Sequence, residues 1–156
     1  RPDRLMPMLP DVPRYLRVNH AGEYGAVRIY EGQLRGMALR PGASPRQRAE
    51  VTHMLDQERR HLEELRQQLL QHQARPSALM PLWHVAGFAL GAATALMGDK
   101  AAMACTMAVE DVIDGHYARQ VDALRQSHPG LSETFERFRQ EEVAHGETAA
   151  AAGGAD

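Results

Sequence analysis

The sequence is short of aromatic residues, of β-branched residues and of cysteine, and each shortage excludes something. Aromatic side chains fill 5% of its 156 positions. With so few rings and few β-branched side chains, the chain lacks the material of a sheet core. The single cysteine, Cys105, allows no internal disulfide and points to a reducing compartment. Lys and Arg total 18, Lys100 is the only lysine, and the net charge is -2 with histidine neutral. That is no basic footprint, so nucleic acid is not an expected partner. No secretory signal pattern marks the start. No linker or low-complexity segment divides the chain, which predicts one domain over residues 1–156 with loose ends at 1–10 and 149–156.

What is abundant favours helix: Ala, Leu, Glu, Gln, Arg and Met. The expected fold class is all-α, with four long helical segments. The first begins near Asp11 with Pro13 in its first turn, and carries a stripe of Leu16, His20, Glu23, Val27, Tyr30 and Leu34. The second starts with Ser44 as N-cap and Pro45 as its first helical residue, with a stripe of Val51, Leu55, Glu58, Leu62, Leu65 and Leu69. The third carries Met103, Met107, Glu110, Tyr117, Val121 and Leu124, and His128-Pro129-Gly130 closes it. The fourth takes Ser132 as N-cap and carries Leu131, Phe135, Phe138, Glu142 and His145.

Each of these stripes contains a glutamate. Four carboxylates aimed at one core are prohibitively costly without a cation, and no arginine lies on the four stripes. Metal ions are the better partner. Glu58 with His61 and Glu142 with His145 both form Glu-x-x-His, and residues three apart on a helix are surface neighbours. The helices therefore read Glu, Glu-x-x-His, Glu, Glu-x-x-His, the arrangement of ferritin-like di-iron carboxylate bundles. Four carboxylates balance two divalent ions, and this donor set suits non-haem iron, with manganese possible.

The chain also repeats. Ala21, Glu23, Tyr30 and Gln33 recur 87 residues later as Ala108, Glu110, Tyr117 and Gln120, and Glu58 and His61 recur 84 later as Glu142 and His145. A duplicated helix pair predicts a bundle with a pseudo-two-fold axis and two facing half-sites.

Other residues read more plainly. His20 suits a hydrogen-bonded core histidine. Asp111 and Asp114 are either surface acids or partners that orient a ligand histidine. His53, His72, His84 and His128 read as surface residues, and Met103 and Met107 as core filler. Leu79 to Gly98 approaches the length of a membrane span. Its Pro81, Gly87 and Gly91, and its reliance on Ala, favour instead a buried helix of the bundle or an apolar patch resting on a bilayer.

Three runs carry a family resemblance: Arg17 to Ala26 (RVNHAGEYGA), Gly91 to Lys100 (GAATALMGDK) and Ala104 to Tyr117 (ACTMAVEDVIDGHY), joined by Phe138 to His145 (FRQEEVAH). Together they resemble the demethoxyubiquinone hydroxylase family of ubiquinone biosynthesis, over residues 14 to 148. The resemblance implies a membrane-associated mono-oxygenase that hydroxylates the ring of a polyprenylated demethoxyubiquinol with O2. It implies two iron ions held by Glu23, Glu58, His61, Glu110, Glu142 and His145, with Glu58 and Glu142 bridging. It places His116 and Tyr117 near the iron as catalytic candidates. It implies electrons from a reduced nicotinamide such as NADH, contact with other ubiquinone-biosynthesis proteins, and a peripheral position on the cytoplasmic face of a bacterial inner membrane or the matrix face of its mitochondrial counterpart. Two rival readings are a ferritin-like ferroxidase that handles soluble iron and a non-catalytic helical adaptor at a membrane surface.

Overall fold

A computed structural model describes residues 9–149; of the predicted loose ends, all but Leu9, Pro10 and Ala149 lie outside the described residues, as do the side chains of His145, Thr148 and Ala149. The described residues form five helices and no strand: α1 (Val12–Leu39), α2 (Pro45–Gln71), α3 (Met80–Met97), α4 (Asp99–Leu124) and α5 (Pro129–Ala149).

The caps of the first two helices follow the sequence. The Asp11 carboxylate accepts from the Arg14 backbone N–H at 3.1 Å, and Ser44 Oγ accepts from that of Gln47 at 3.2 Å. Each satisfies a donor that a helix start leaves open. The last helix departs from expectation. It starts at Pro129, not after Ser132, because proline's fixed φ suits the first helical position and the His128 carbonyl takes the Ser132 N–H at 3.0 Å. Ser132 is instead buried, and its Oγ donates to the Val121 carbonyl at 2.8 Å, joining α5 to α4.

The four stripes meet in one core. Leu16, Tyr30, Met37, Val51, Leu65, Met103, Leu124, Phe135 and Phe138 are all fully enclosed. The repeat appears as reciprocal hydrogen bonds. Tyr30 of α1 donates to Glu110 of α4, and Tyr117 of α4 donates back to Glu23 of α1 at 2.7 Å. Gln33 donates to Thr106 Oγ at 3.2 Å, while Gln120 and Asn19 bind each other at 2.9 and 2.6 Å. Asn19 and Thr106 are themselves 87 apart, so unlike residues occupy equivalent places in the duplicated scaffold.

The Leu79–Gly98 segment separates from the third predicted helix as α3, a helix of its own. It is not a buried helix of the bundle: 17% of its apolar window is buried, and Leu82, Val85, Leu90, Leu96 and Met97 are exposed. By length and composition it can cross a membrane. Here it lies along α1 by small-residue packing. A Cβ on Gly91 would fall 1.9 Å from the Ile29 carbonyl oxygen, and one on Gly32 would fall 2.2 Å from that of Phe88. Gly98, at φ +134°, makes the sharp step into α4 that other residues rarely adopt. Arg40 secures this corner, donating to the Ala95 carbonyl at 3.1 Å and pairing with Asp99, while Asp99 also accepts from the Ser44 N–H at 3.2 Å.

Gly115 differs from these glycines. Its added Cβ would meet only Arg119 Nη1, at 3.5 Å, an ordinary contact. Gly115→Ala is therefore expected to stabilise the chain by about 0.5–1 kcal/mol through helix propensity alone. A urea midpoint that falls would show hidden crowding on α4.

Candidate metal centre

Glu23 from α1, Glu58 and His61 from α2 and Glu142 from α5 are all buried and offer ligand atoms within 4.8 Å of one another. Glu110 of α4 is equally enclosed, held by Tyr30, and shares a cleft wall with Glu142. Among the described residues, the basic side chain in the group is His61. Its Nδ1 lies 3.0 Å from Glu142, 3.7 Å from Glu58 and 3.8 Å from Glu23. The backbone of His145 lies in α5, one turn past Glu142, and its side chain lies outside the description.

Burial and mutual repulsion show in the acidities. Burial, reinforced by the nearby charge of Glu142, pushes the Glu23 carboxyl up to about 7. Burial, then the charges of Glu23 and Glu142, pushes Glu58 well above the usual carboxylate range. Burial works against a charged His61, but the hydrogen bond to Glu142 and the surrounding carboxylates outweigh it, and the imidazole is raised. Tyr30 and Tyr117 are pushed well above the phenol range by burial and then by the carboxylate charges, so both remain donors.

These shifts fix a pH trend for the metal-free chain. A carboxyl raised from 4.5 to about 7 keeps a proton in the fold that the unfolded chain has already lost. Its stabilisation is complete below about pH 4.5 and disappears as pH rises through about 7; the raised His61 acts in the same direction. The thermal midpoint in chelator is therefore expected to fall between about pH 5 and pH 8. A midpoint that climbs over that range would contradict the crowding of charge described here.

The residues fit divalent metal. Glu23 Oε2 is buried without a hydrogen-bond partner among the described residues. His61 Nε2 meets Glu141, a residue the stripes did not reveal. A carboxylate only accepts, so Nε2 keeps its hydrogen toward Glu141, and Nδ1, which meets Glu142 at 3.0 Å in the metal-free chain, is the nitrogen that would give up its proton to take a metal. Among the described residues, neither Asp111 nor Asp114 takes this role toward His61: Asp111 is exposed, and Asp114 pairs with Arg139 at 2.9 Å. Glu141 had one available signal, an acid next to the second Glu-x-x-His.

Of the other candidates, Tyr117 donates to Glu23, whereas His116 is not among the grouped ligand atoms. His116 lines an apolar groove of about 1010 Å³ between α1, α3 and α4, and its Nδ1 accepts from Arg119 at 3.1 Å. Burial, then the Arg119 charge, lowers its pKa. His20 is buried apart from the ligand group, lowered by burial and then by Arg66. His84 is exposed, yet its Nδ1 lies 2.6 Å from the Tyr24 hydroxyl and ties α3 to α1.

The groove floor is itself duplicated. Arg17, Val18, Ala21, Gly22, Gly25, Ala26 and Ile29 on α1 are matched, each 87 residues later, by Ala104, Cys105, Ala108, Val109, Val112, Ile113 and His116 on α4. Ala26 and Ile113 stand one turn beyond Glu23 and Glu110 on the same helices. Trp83 and Leu90 of α3 form one wall.

Comparison with known proteins identifies the family. Residues 11–156 match the family model described as ubiquinone biosynthesis protein COQ7. A 3-demethoxyubiquinol 3-hydroxylase of Rhodospirillum rubrum is 51% identical over 134 residues, covering 86% of this chain and 61% of the relative. An NADPH-dependent 3-demethoxyubiquinone 3-hydroxylase, mitochondrial, of Mus musculus is 45% identical over 141 residues, covering 88% and 63%. The Homo sapiens protein of the same name is 45% identical over 138 residues, covering 86% and 61%. The chain thus spans 61–63% of the length of these relatives. A match over nearly the whole sequence, on a bundle whose buried acids and histidine converge as described, places the chain in the COQ7 family of ubiquinone biosynthesis proteins.

Proposed function

We propose that this chain is the catalytic domain of a di-iron mono-oxygenase that hydroxylates the ring of a polyprenylated demethoxyubiquinol with O2. The observation that carries the reading is the pairing of two features: a buried carboxylate–histidine centre and, one turn away on the same helices, a long apolar groove. The first suits iron; the second suits a ring with a hydrocarbon tail.

Glu23, Glu58, His61, Glu110, Glu142 and His145 would hold two iron ions, which supply O2 activation when bound. Glu58 and Glu142, one from each Glu-x-x-His, would each supply a carboxylate. Tyr30 and Tyr117 keep their protons and hold Glu110 and Glu23 by hydrogen bonds, fixing carboxylate orientation from the opposite repeat. The groove takes the quinol ring over Ala26 and Ile113, and its apolar walls keep bulk water from the reacting ring. The exposed apolar face of α3 rests on a bilayer and lets the substrate pass from lipid to groove. In a bacterium that bilayer is the inner membrane on its cytoplasmic side; in a mitochondrion it is the inner membrane on its matrix side. Reduced nicotinamide supplies the electrons; the mouse and human relatives are named as NADPH-dependent.

The test is turnover. Protein reconstituted anaerobically with Fe(II), then given a demethoxyubiquinol analogue and O2, is expected to yield hydroxylated quinone. Ferric oxide without hydroxylated product would replace this reading with a ferroxidase. A folded protein that takes up no iron and makes no product would favour an adaptor.

A further inference from the structure

The two Glu-x-x-His motifs repeat, but the residue before each does not. Glu141 precedes Glu142, and Gln57 stands at the equivalent place before Glu58, 84 residues earlier. An acid in one half faces a neutral amide in the other.

Glu141 reaches from α5 to α2 and binds His61 Nε2. It approaches from the side opposite the buried acids, which gather around Nδ1. The ring is held further by Phe138, stacked at 4.3 Å between centroids. The Glu141 side chain is 36% exposed, so it reaches solvent while its oxygen meets a buried imidazole. Gln57 is half-buried on α2 and borders a cleft with Ala144 of α5. A carboxylate that accepts from a ligand imidazole fixes its tautomer and raises its basicity; an amide oxygen accepts without charge.

We propose that Glu141 is a positioning residue that fixes the tautomer and orientation of His61 and makes the His61 half-site the tighter of two unequal metal positions, with Gln57 giving the other half no such charge. This rests on the di-iron reading above.

Cobalt(II) is the probe, titrated anaerobically into the whole chain and followed by its visible ligand-field absorption. The wild type is expected to take two equivalents with distinct affinities. Glu141→Ala is expected to weaken the tighter one by about 10–100-fold and change its absorption, leaving the other in place. Glu141→Asp, which keeps the charge, is expected to recover most of the affinity, and Glu141→Gln only part. Gln57→Glu is expected to tighten the weaker equivalent. If Glu141→Ala does not fold, Glu141→Gln decides: a weakened tight equivalent supports the assignment, and wild-type binding overturns it. Wild-type affinity and spectrum in a folded Glu141→Ala would also overturn it and leave the metal centre standing. A wild type that binds no cobalt would sink the metal centre and this proposal together.

Discussion

Leucine in place of Glu58 is expected to make the metal-free chain more stable and to abolish the proposed hydroxylation. Glu58 is fully buried, holds its proton far more tightly than an ordinary carboxyl and offers a ligand atom within 4.8 Å of those of Glu23 and Glu142. In the absence of metal it is an acid crowded by acids. Crowding of buried acids costs on the order of 1–3 kcal/mol, and a side chain of similar volume that cannot ionise relieves the repulsion from Glu23 and Glu142. In a chain this long, each kcal/mol shifts the thermal midpoint by roughly 2–4 °C. The same substitution removes a candidate ligand, so metal stoichiometry is expected to fall and quinol hydroxylation to drop to background. Calorimetry in chelator beside a metal count separates the two effects. A destabilised Glu58→Leu chain that still holds its full metal would show that Glu58 serves packing and not the centre.

Valine at Gly91 is expected to separate the groove from the metal site. The first added carbon would overlap the Ile29 carbonyl oxygen, and no flexible side chain can move aside to admit it. Overpacking of this kind costs about 1–3 kcal/mol, and α3 must lift off α1. The Tyr24–His84 bond and the Arg28 hydrogen bond to the His84 carbonyl at 2.9 Å would break with it. Glu23, Glu58, His61 and Glu142 come from α1, α2 and α5, so metal uptake is expected to persist. Turnover of a long-tailed quinol and flotation with lipid vesicles are expected to be lost. Wild-type turnover in Gly91→Val would show that α3 does not form the substrate wall.

Both substitutions probe features that differ in how openly the sequence displays them. Glu58 was legible because its stripe positions are strongly periodic and its partner acids recur at fixed offsets; a carboxylate on an apolar face demands an explanation. The caps at Asp11 and Ser44 were legible because a polar side chain followed by proline marks a helix start almost by itself. The course of α3 was not. It is apolar on most sides, so no stripe distinguishes its buried face. That face is Gly87, Gly91 and Ala95, spaced by fours, and it packs because its side chains are small, not because they are greasy. Ser132 misled because two start signals stood three residues apart, and Pro129 prevailed. The reciprocal bonds of Tyr30 and Tyr117 were half visible: the offset showed that they are equivalent, but not that each reaches the other repeat's glutamate. Asn19 and Thr106 hid the same symmetry behind different side chains. His116 precedes Tyr117 in the chain, and a helix turns adjacent residues to different faces, which put one in the groove and the other in the core.

The measurement that bears most directly on the account is the number of metal ions per folded chain after anaerobic reconstitution with Fe(II) and removal of excess. The account predicts two, bound more tightly as pH rises, because binding must displace the protons that the crowded acids hold. Folded protein that retains no iron at any pH would mean that Glu23, Glu58, His61, Glu110 and Glu142 are buried for another reason, and the assignment of a di-iron centre would be wrong.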